Sequence, residues 1–189
     1  STGASSIKDI SNALKILDNK KKITILHCNS AYPTPYKDIN LNSLKFIRQK
    51  FKCNIGFSDH SLSLIAPSGA VAIGASIIEK HFTLSRKLKG PDHKSSLEPS
   101  ELSIMVDNIR EMEKALGKTE KKITKSEKKN RNIIRKSIVA GINIKKGERF
   151  SQKNLAFKRP GYGISPMDVK KILGKKSKKN FKEDDLIKL

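Results

Sequence analysis

Three short apolar runs constrain this chain more than any other feature: residues 23–28 (ITILHC), 54–57 (NIGF) and 76–81 (SIIEKH). Each has the length of a strand, and each is followed by a stretch with helical apolar spacing. After the first, Asn40 is placed to cap a helix carrying Leu41, Leu44, Ile47 and Phe51. After the second comes an Ala/Gly-rich helix over about residues 62–74. After the third, Pro99 opens a long helix with Leu102, Met105, Val106, Ile109, Met112 and Leu116 on one face, and Gly117 stops it. A further helix precedes the first run, with Ser6 and Asp9 as a capping pair and Ile7, Ile10, Leu14 and Leu17 at helical intervals. Strand and helix alternating at this spacing mean βαβ units, right-handed crossovers and a parallel sheet whose strands are buried on both faces.

An α/β fold of this kind closes as an eight-stranded β/α barrel in about 250 residues. Residues 1–117 supply under half of that, so the expectation is the C-terminal half of such a barrel. Half a barrel exposes two sheet edges. The chain also opens on Ser-Thr-Gly-Ala-Ser-Ser, without Met, and runs straight into a helix. Together these features predict a cut within a domain. Residues 118–134 (KTEKKITKSEKKNRNII) read as a basic linker wrapping the surface. From 135 to 189 the pattern changes to a small, mostly β module: strands near 137–140 and 155–158, a turn at Lys146-Gly147-Glu148, a loop at 160–163 and a short helix over 166–173.

Charge bears on partners. The net charge of +22 is uneven, with 17 Lys/Arg against 11 Asp/Glu in residues 1–117 and 23 against 7 in 118–189. One reading is a basic module that contacts nucleic acid. The lysines are not interleaved with aromatics or with a reader motif, however, and a lysine-favouring composition accounts for them. No nucleic-acid partner is expected. No apolar run approaches about twenty residues, so no membrane span is expected either. Cys28 and Cys53 lie in apolar runs without metal-type spacing, which suits buried thiols in a reducing cytoplasm.

In β/α barrels the chemistry sits at the C-terminal ends of the strands, and residues two apart on a strand share a face. Ser30 and Tyr32 follow the first run, Ser58 and His60 end the second, Glu79 and His81 end the third, and Asp92 lies in the loop beyond. Two imidazoles, two carboxylates and hydroxyl groups would thus face one mouth. Neutral imidazoles suit manganese, iron, cobalt or zinc with positions open for substrate. His27 and His93 are assigned structural or peripheral places.

At these residues a family resemblance becomes specific. HCNSAYPTP, GFSDHSL, IIEKHFTL, GPDHKSSLEP and KRPGYGISP, in this order, resemble the motifs of the sialic acid (N-acetylneuraminate) synthases and of the related legionaminic acid synthases. The resemblance covers essentially the whole chain, and its closing module is similar to their antifreeze-like (SAF) domain, a β-clip fold. It implies condensation of phosphoenolpyruvate with N-acetylmannosamine or a related amino-sugar aldehyde. It implies His60 and His81 as ligands of a divalent metal, manganese foremost, with magnesium or cobalt as alternatives. Ser58, and less securely Ser30, would bind the phosphate of phosphoenolpyruvate, and Tyr32 and Glu79 would line the amino-sugar site. Asp92 would stand near the sugar and the attacking water. Arg159 of KRPG would enter the site of a partner subunit, making a domain-swapped homodimer. The family's phosphate-binding lysines and remaining catalytic carboxylates would lie upstream of Ser1, so the chain by itself is expected to be inactive. An inactive fragment of such an enzyme, or a basic binding module, is the competing reading.

Overall fold

The computed structural model describes residues 1–17 and 22–188. Ser6 starts α1 (Ile7–Ile16): its hydroxyl accepts from the Asp9 N–H while the Asp9 carboxylate accepts from the Ser6 N–H at 2.8 Å. The Ser6 hydroxyl also donates to that carboxylate, and this bond first, then the one from the Ser6 N–H, hold the Asp9 carboxyl below its ordinary pKa. Three strands follow in sequence, β1 (Thr24–Cys28), β2 (Asn54–Asp59) and β3 (Ile77–Lys80), interleaved with α2 (Asn42–Phe51) and α3 (Ala66–Ile73) and closed by α4 (Pro99–Leu116). The strands form one parallel sheet in the order β1-β2-β3. Its register sets Cys28 beside Ser58 and Ser58 beside Glu79.

Helix stripes and strand faces meet in one core. Ile10 and Leu14 of α1 and Leu44 and Ile47 of α2 pack with Ile25, Ile55 and Phe57 of the sheet. Leu97, Met105 and Ile109 form a second cluster, to which Leu64, Val71 and Ile78 contribute. Burial of a single such side chain is worth about 1.5–3 kcal/mol. Gly56 permits the close spacing at the middle of β2. A Cβ there would lie 2.2 Å from Leu26 Cδ2 and 2.8 Å from the Ile77 carbonyl oxygen.

Several local expectations are corrected. Asn40 does not cap α2; it takes a left-handed φ of 46°, Leu41 is the cap position, and no side chain bonds the helix end. The helix expected from residue 62 begins at Ala66, because serine hydroxyls capture the preceding turns. Ser61 Oγ accepts from the Ser63 N–H, and Ser63 Oγ accepts from those of Ile65 and Ala66.

Both edges of this sheet are sparsely covered. On the far side of β1, Thr2 donates its N–H and its hydroxyl to the Leu26 carbonyl at 3.0 and 2.8 Å. Among the described residues no strand pairs with β3 on its outer side, where Ile77 is 45% exposed. An unpaired apolar edge templates association. Residues 1–189 purified alone should therefore run as concentration-dependent assemblies on a sizing column and melt broadly. A monodisperse monomer with a sharp transition would contradict this.

The chain divides into two compact units, Ser1–Lys118 and Thr119–Leu189. In the second, β4 (Ser137–Ala140) pairs antiparallel with β5 (Leu155–Lys158), and single bridges join Val139 to Leu186 and Ile144 to Phe181. Ile138, Ala140, Ile144, Phe150, Ile172, Phe181 and Ile187 make its core. The helix expected over 166–173 is a 3-10 segment, Pro166–Lys171. Within the basic stretch 118–134, read from the sequence as a surface linker, lies α5 (Lys125–Ile134), whose start is fixed by a reciprocal Thr124–Glu127 cap. None of its residues is buried. Among the described residues no helix is long and apolar enough to cross a membrane.

Candidate functional site

The ends of β1, β2 and β3 bring five of the sequence-predicted residues into contact. His60, one residue past β2, is 7% exposed. Its ring centroid lies 5.1 Å from that of His81, edge to face. Tyr32, in the loop after β1, stacks on His60 at 4.2 Å and leans on His81 at 5.4 Å. Ser58 and Glu79, side by side in register, are joined by a 2.6 Å hydrogen bond from the serine hydroxyl to Oε1. Ser58 Oγ is also 3.4 Å from His60 Nε2.

The tautomer of His60 follows from its partners. Nδ1 lies 2.7 Å from the Asn29 carbonyl oxygen. A carbonyl only accepts, so Nδ1 carries the proton, and in the neutral ring Nε2 presents its lone pair on the side of Ser58. A backbone carbonyl that fixes one ring nitrogen is the arrangement that readies the other for a metal. Two imidazoles in contact, one of them oriented in this way, fit a divalent ion as two of its ligands. No group of three or more His, Cys, Asp or Glu side chains is set to hold a metal among the described residues.

The other candidates stand elsewhere. Ser30 is exposed and lines a neighbouring cavity of about 640 Å³ with Thr2, Ser6, Asn29, Ser43 and Phe46. Gly3 packs beside it; a Cβ there would come within 2.1 Å of Ser30 Oγ, and the hydroxyl would have to turn aside. Asp92 is exposed in the loop after β3; its carbonyl accepts from Ser96 Oγ at 2.6 Å, and the contacts that join the other five do not include its carboxylate. Arg159 belongs to the second unit, where its Nε donates to the Ile134 carbonyl at the end of α5 at 2.8 Å. His27 and His93 occupy structural bonds, to the Ile39 carbonyl and to Thr83 Oγ1, both at 2.8 Å.

Four further residues were not anticipated. Cys28 is buried and free, with Sγ 3.6 Å from His60 Nδ1. The period-two rule that selected Ser30 also selects Cys28. The Asn29 carbonyl carries no side-chain signal, so nothing in the sequence marks it. Finally, on the opposite face of the sheet, Lys80 Nζ lies 2.7 Å from Asp59 Oδ2, with the two side chains 3% and 1% exposed. Burial holds the Lys80 ammonium below its ordinary pKa, and the Asp59 carboxylate opposes that shift.

Known proteins with this pattern are recognisable. Residues 1–121 match the model of the NeuB family, and residues 135–189 match that of the SAF domain. The N,N'-diacetyllegionaminic acid synthase of Campylobacter jejuni is 47% identical over 192 residues, covering 100% of this chain and 58% of that protein. The pseudaminic acid synthase of the same organism is 38% identical over 190 residues, covering 100% of this chain and 55% of its own length. Among solved structures, the N-acetylneuraminic acid synthetase of Leptospira borgpetersenii superposes with a TM-score of 0.61 at 38% identity, over 68% of this chain and 45% of that one. The chain thus spans about half the length of the curated relatives it matches. With its first unit matched along its length and its second matched as a SAF domain, the chain belongs to the NeuB family.

Proposed function

We propose that this chain is part of a synthase that joins phosphoenolpyruvate to an amino-sugar aldehyde, releasing phosphate and forming a nonulosonic acid of the sialic type. The observation that carries the reading is the His60–His81–Tyr32 cluster beside the Ser58–Glu79 pair, at the strand ends of a chain 47% identical to a legionaminic acid synthase. Its first unit would be the C-terminal half of a β/α barrel.

In the reaction, C3 of phosphoenolpyruvate forms a carbon–carbon bond to the aldehyde carbon, water adds at C2, and cleavage of the C2–O bond releases phosphate. A divalent metal held by His60 and His81, manganese foremost, would supply Lewis acidity at the aldehyde oxygen. Asn29, through its carbonyl, keeps His60 in the tautomer such a ligand needs. Ser58 donates its one hydroxyl proton to Glu79, and with substrate bound the same proton, turned away from Glu79, would serve a phosphate oxygen. Glu79 accepts hydrogen bonds and would orient a sugar hydroxyl. Tyr32, half exposed, covers the two imidazoles and offers its ring face and phenol to the sugar. Asp92 would take a proton from the water that adds at C2, if the loop bearing it closes over the site. Ser30, in the adjoining cavity, would contact the phosphate. Arg159 would reach the acyl group of a sugar bound to the partner subunit of a homodimer.

The test requires a completed enzyme: this chain joined to the portion of the Campylobacter jejuni legionaminic relative that it does not cover. Supplied with phosphoenolpyruvate and manganese, it should release phosphate with N-acetylmannosamine or with the diacetylated sugar corresponding to legionaminic acid. Mass spectrometry should find the nine-carbon acid. The identities of 47% and 38% to the legionaminic and pseudaminic relatives support the legionaminic-type sugar as the faster substrate. Phosphate release at equal rates with and without any amino sugar would contradict the reading.

A further inference from the structure

We propose that the buried Asp59–Lys80 pair is a positioning device that sets the two histidines of the site at a fixed separation; the proposal rests on the metal-site reading above. The face of the sheet turned toward the helices carries Ile25, Ile55, Phe57 and Ile78, together with His27, which stacks on Phe57 and is bonded to the Ile39 carbonyl. One ion pair interrupts it, at the single place where each member is the immediate neighbour of a histidine: Asp59 precedes His60 and Lys80 precedes His81. The pair bridges β2 and β3 in register, so the two strand ends are tied to each other one residue before the imidazoles leave the sheet.

A second set of bonds makes the tie directional. Asp59 Oδ1 accepts from the Ser61 N–H at 2.9 Å, and Lys80 Nζ donates to the Ser61 carbonyl as well as to Asp59. Ser61 is fully buried, so its carbonyl needs a donor, and Lys80 provides it. The N–H and the carbonyl of Ser61, the residue after His60, are therefore held by one carboxylate and one ammonium whose own positions adjoin His60 and His81. An apolar pair of similar volume would give equal or greater stability in such a place. What it would not give is a fixed distance between two strands and a turn. Outer partners of metal ligands act in this way, and losing them costs about ten- to a hundredfold in metal affinity.

The experiment measures manganese affinity of the completed enzyme, by water-proton relaxation or by the loss of the free-ion resonance signal, together with its melting temperature. The variants are Asp59→Asn, Lys80→Met and the double Asp59→Asn/Lys80→Met, with His60→Ala as reference. Lys80→Met leaves a buried carboxylate unpaired and should both lower the melting temperature and weaken the manganese Kd. The double variant removes both charges, keeps an acceptor for the Ser61 N–H and refills the volume, leaving the Ser61 carbonyl as the one group that has lost its Lys80 donor. Its melting temperature should recover toward wild type while its Kd stays about ten- to a hundredfold weaker. A purely structural pair predicts the reverse, with stability and affinity recovering together. Should the double variant not fold, Asp59→Asn alone decides, since it is isosteric; an affinity loss of about tenfold is expected. Wild-type affinity in the folded double variant, or in Asp59→Asn, overturns the proposal while leaving the metal site intact. If wild type and His60→Ala bind manganese equally, the metal reading fails and the positioning role falls with it.

Discussion

His60→Ala and His81→Ala should each lower the turnover of the completed enzyme by about a thousandfold or more while the circular dichroism spectrum stays that of the parent. A Lewis acid contributes several kcal/mol at the reacting oxygen, and about 4 kcal/mol is about a thousandfold in rate. The two positions need not be equal in stability. His60 is buried, bonded to the Asn29 carbonyl and stacked on Tyr32, so its removal leaves a buried acceptor unsatisfied. His81 is half-buried, and His81→Ala should melt closer to the parent. Activity that survives either substitution, measured after chelation and re-addition of manganese, would remove that residue from the ligand set.

The second large effect is expected at Arg159. Arg159→Ala should reduce kcat/KM for the amino sugar by about ten- to a hundredfold, the equivalent of one charge-assisted hydrogen bond of about 1.5–3 kcal/mol, and leave phosphoenolpyruvate use nearly unchanged. A planar guanidinium suits a carbonyl acceptor better than an ammonium, so Arg159→Lys should rescue only in part. Arg159 also donates to the end of α5, so a drop in melting temperature alone would mark a structural role. Crossing between subunits is tested by mixing Arg159→Ala with His81→Ala. In a swapped heterodimer one site carries both lesions and the other carries none, so activity should return in part. With the seventeen residues 118–134 fully extended, the arm would span about 56 Å; with Lys125–Ile134 helical it spans about 38 Å. That still permits a crossing. Heterodimers that form and stay inactive would restrict Arg159 to its own subunit.

The parts legible in the sequence were those written in a fixed period. Alternation along β2 and β3 placed Ser58, His60, Glu79 and His81 on one face, and the register confirms that Ser58 and Glu79 are neighbours. Pro99 and Gly117 marked the limits of α4, since each has a conformation that a helix end accepts. What failed was decided by weaker or longer-range terms. The helix over residues 125–134 lacks an apolar stripe that a core would bury, so its signal in the sequence is the Thr124–Glu127 spacing alone. Asn40 had the chemistry of a cap but was taken by a left-handed turn. Serines at 61 and 63 competed with helix formation before Ala66. Asp59 and Lys80 were visible as residues but not as a pair, because pairing required the β2–β3 register. Ser30 and Asp92 shared the strand-end argument with the others, yet the loops carrying them place one in an adjoining cavity and the other at the surface.

A metal ion held by two imidazoles would be central to this chemistry, and pulsed electron paramagnetic resonance of the manganese-loaded completed enzyme measures that directly. Two classes of directly bound imidazole nitrogen are expected, with one remaining in His60→Ala and one in His81→Ala. Manganese that shows only water and carboxylate couplings in the wild-type enzyme would contradict the account.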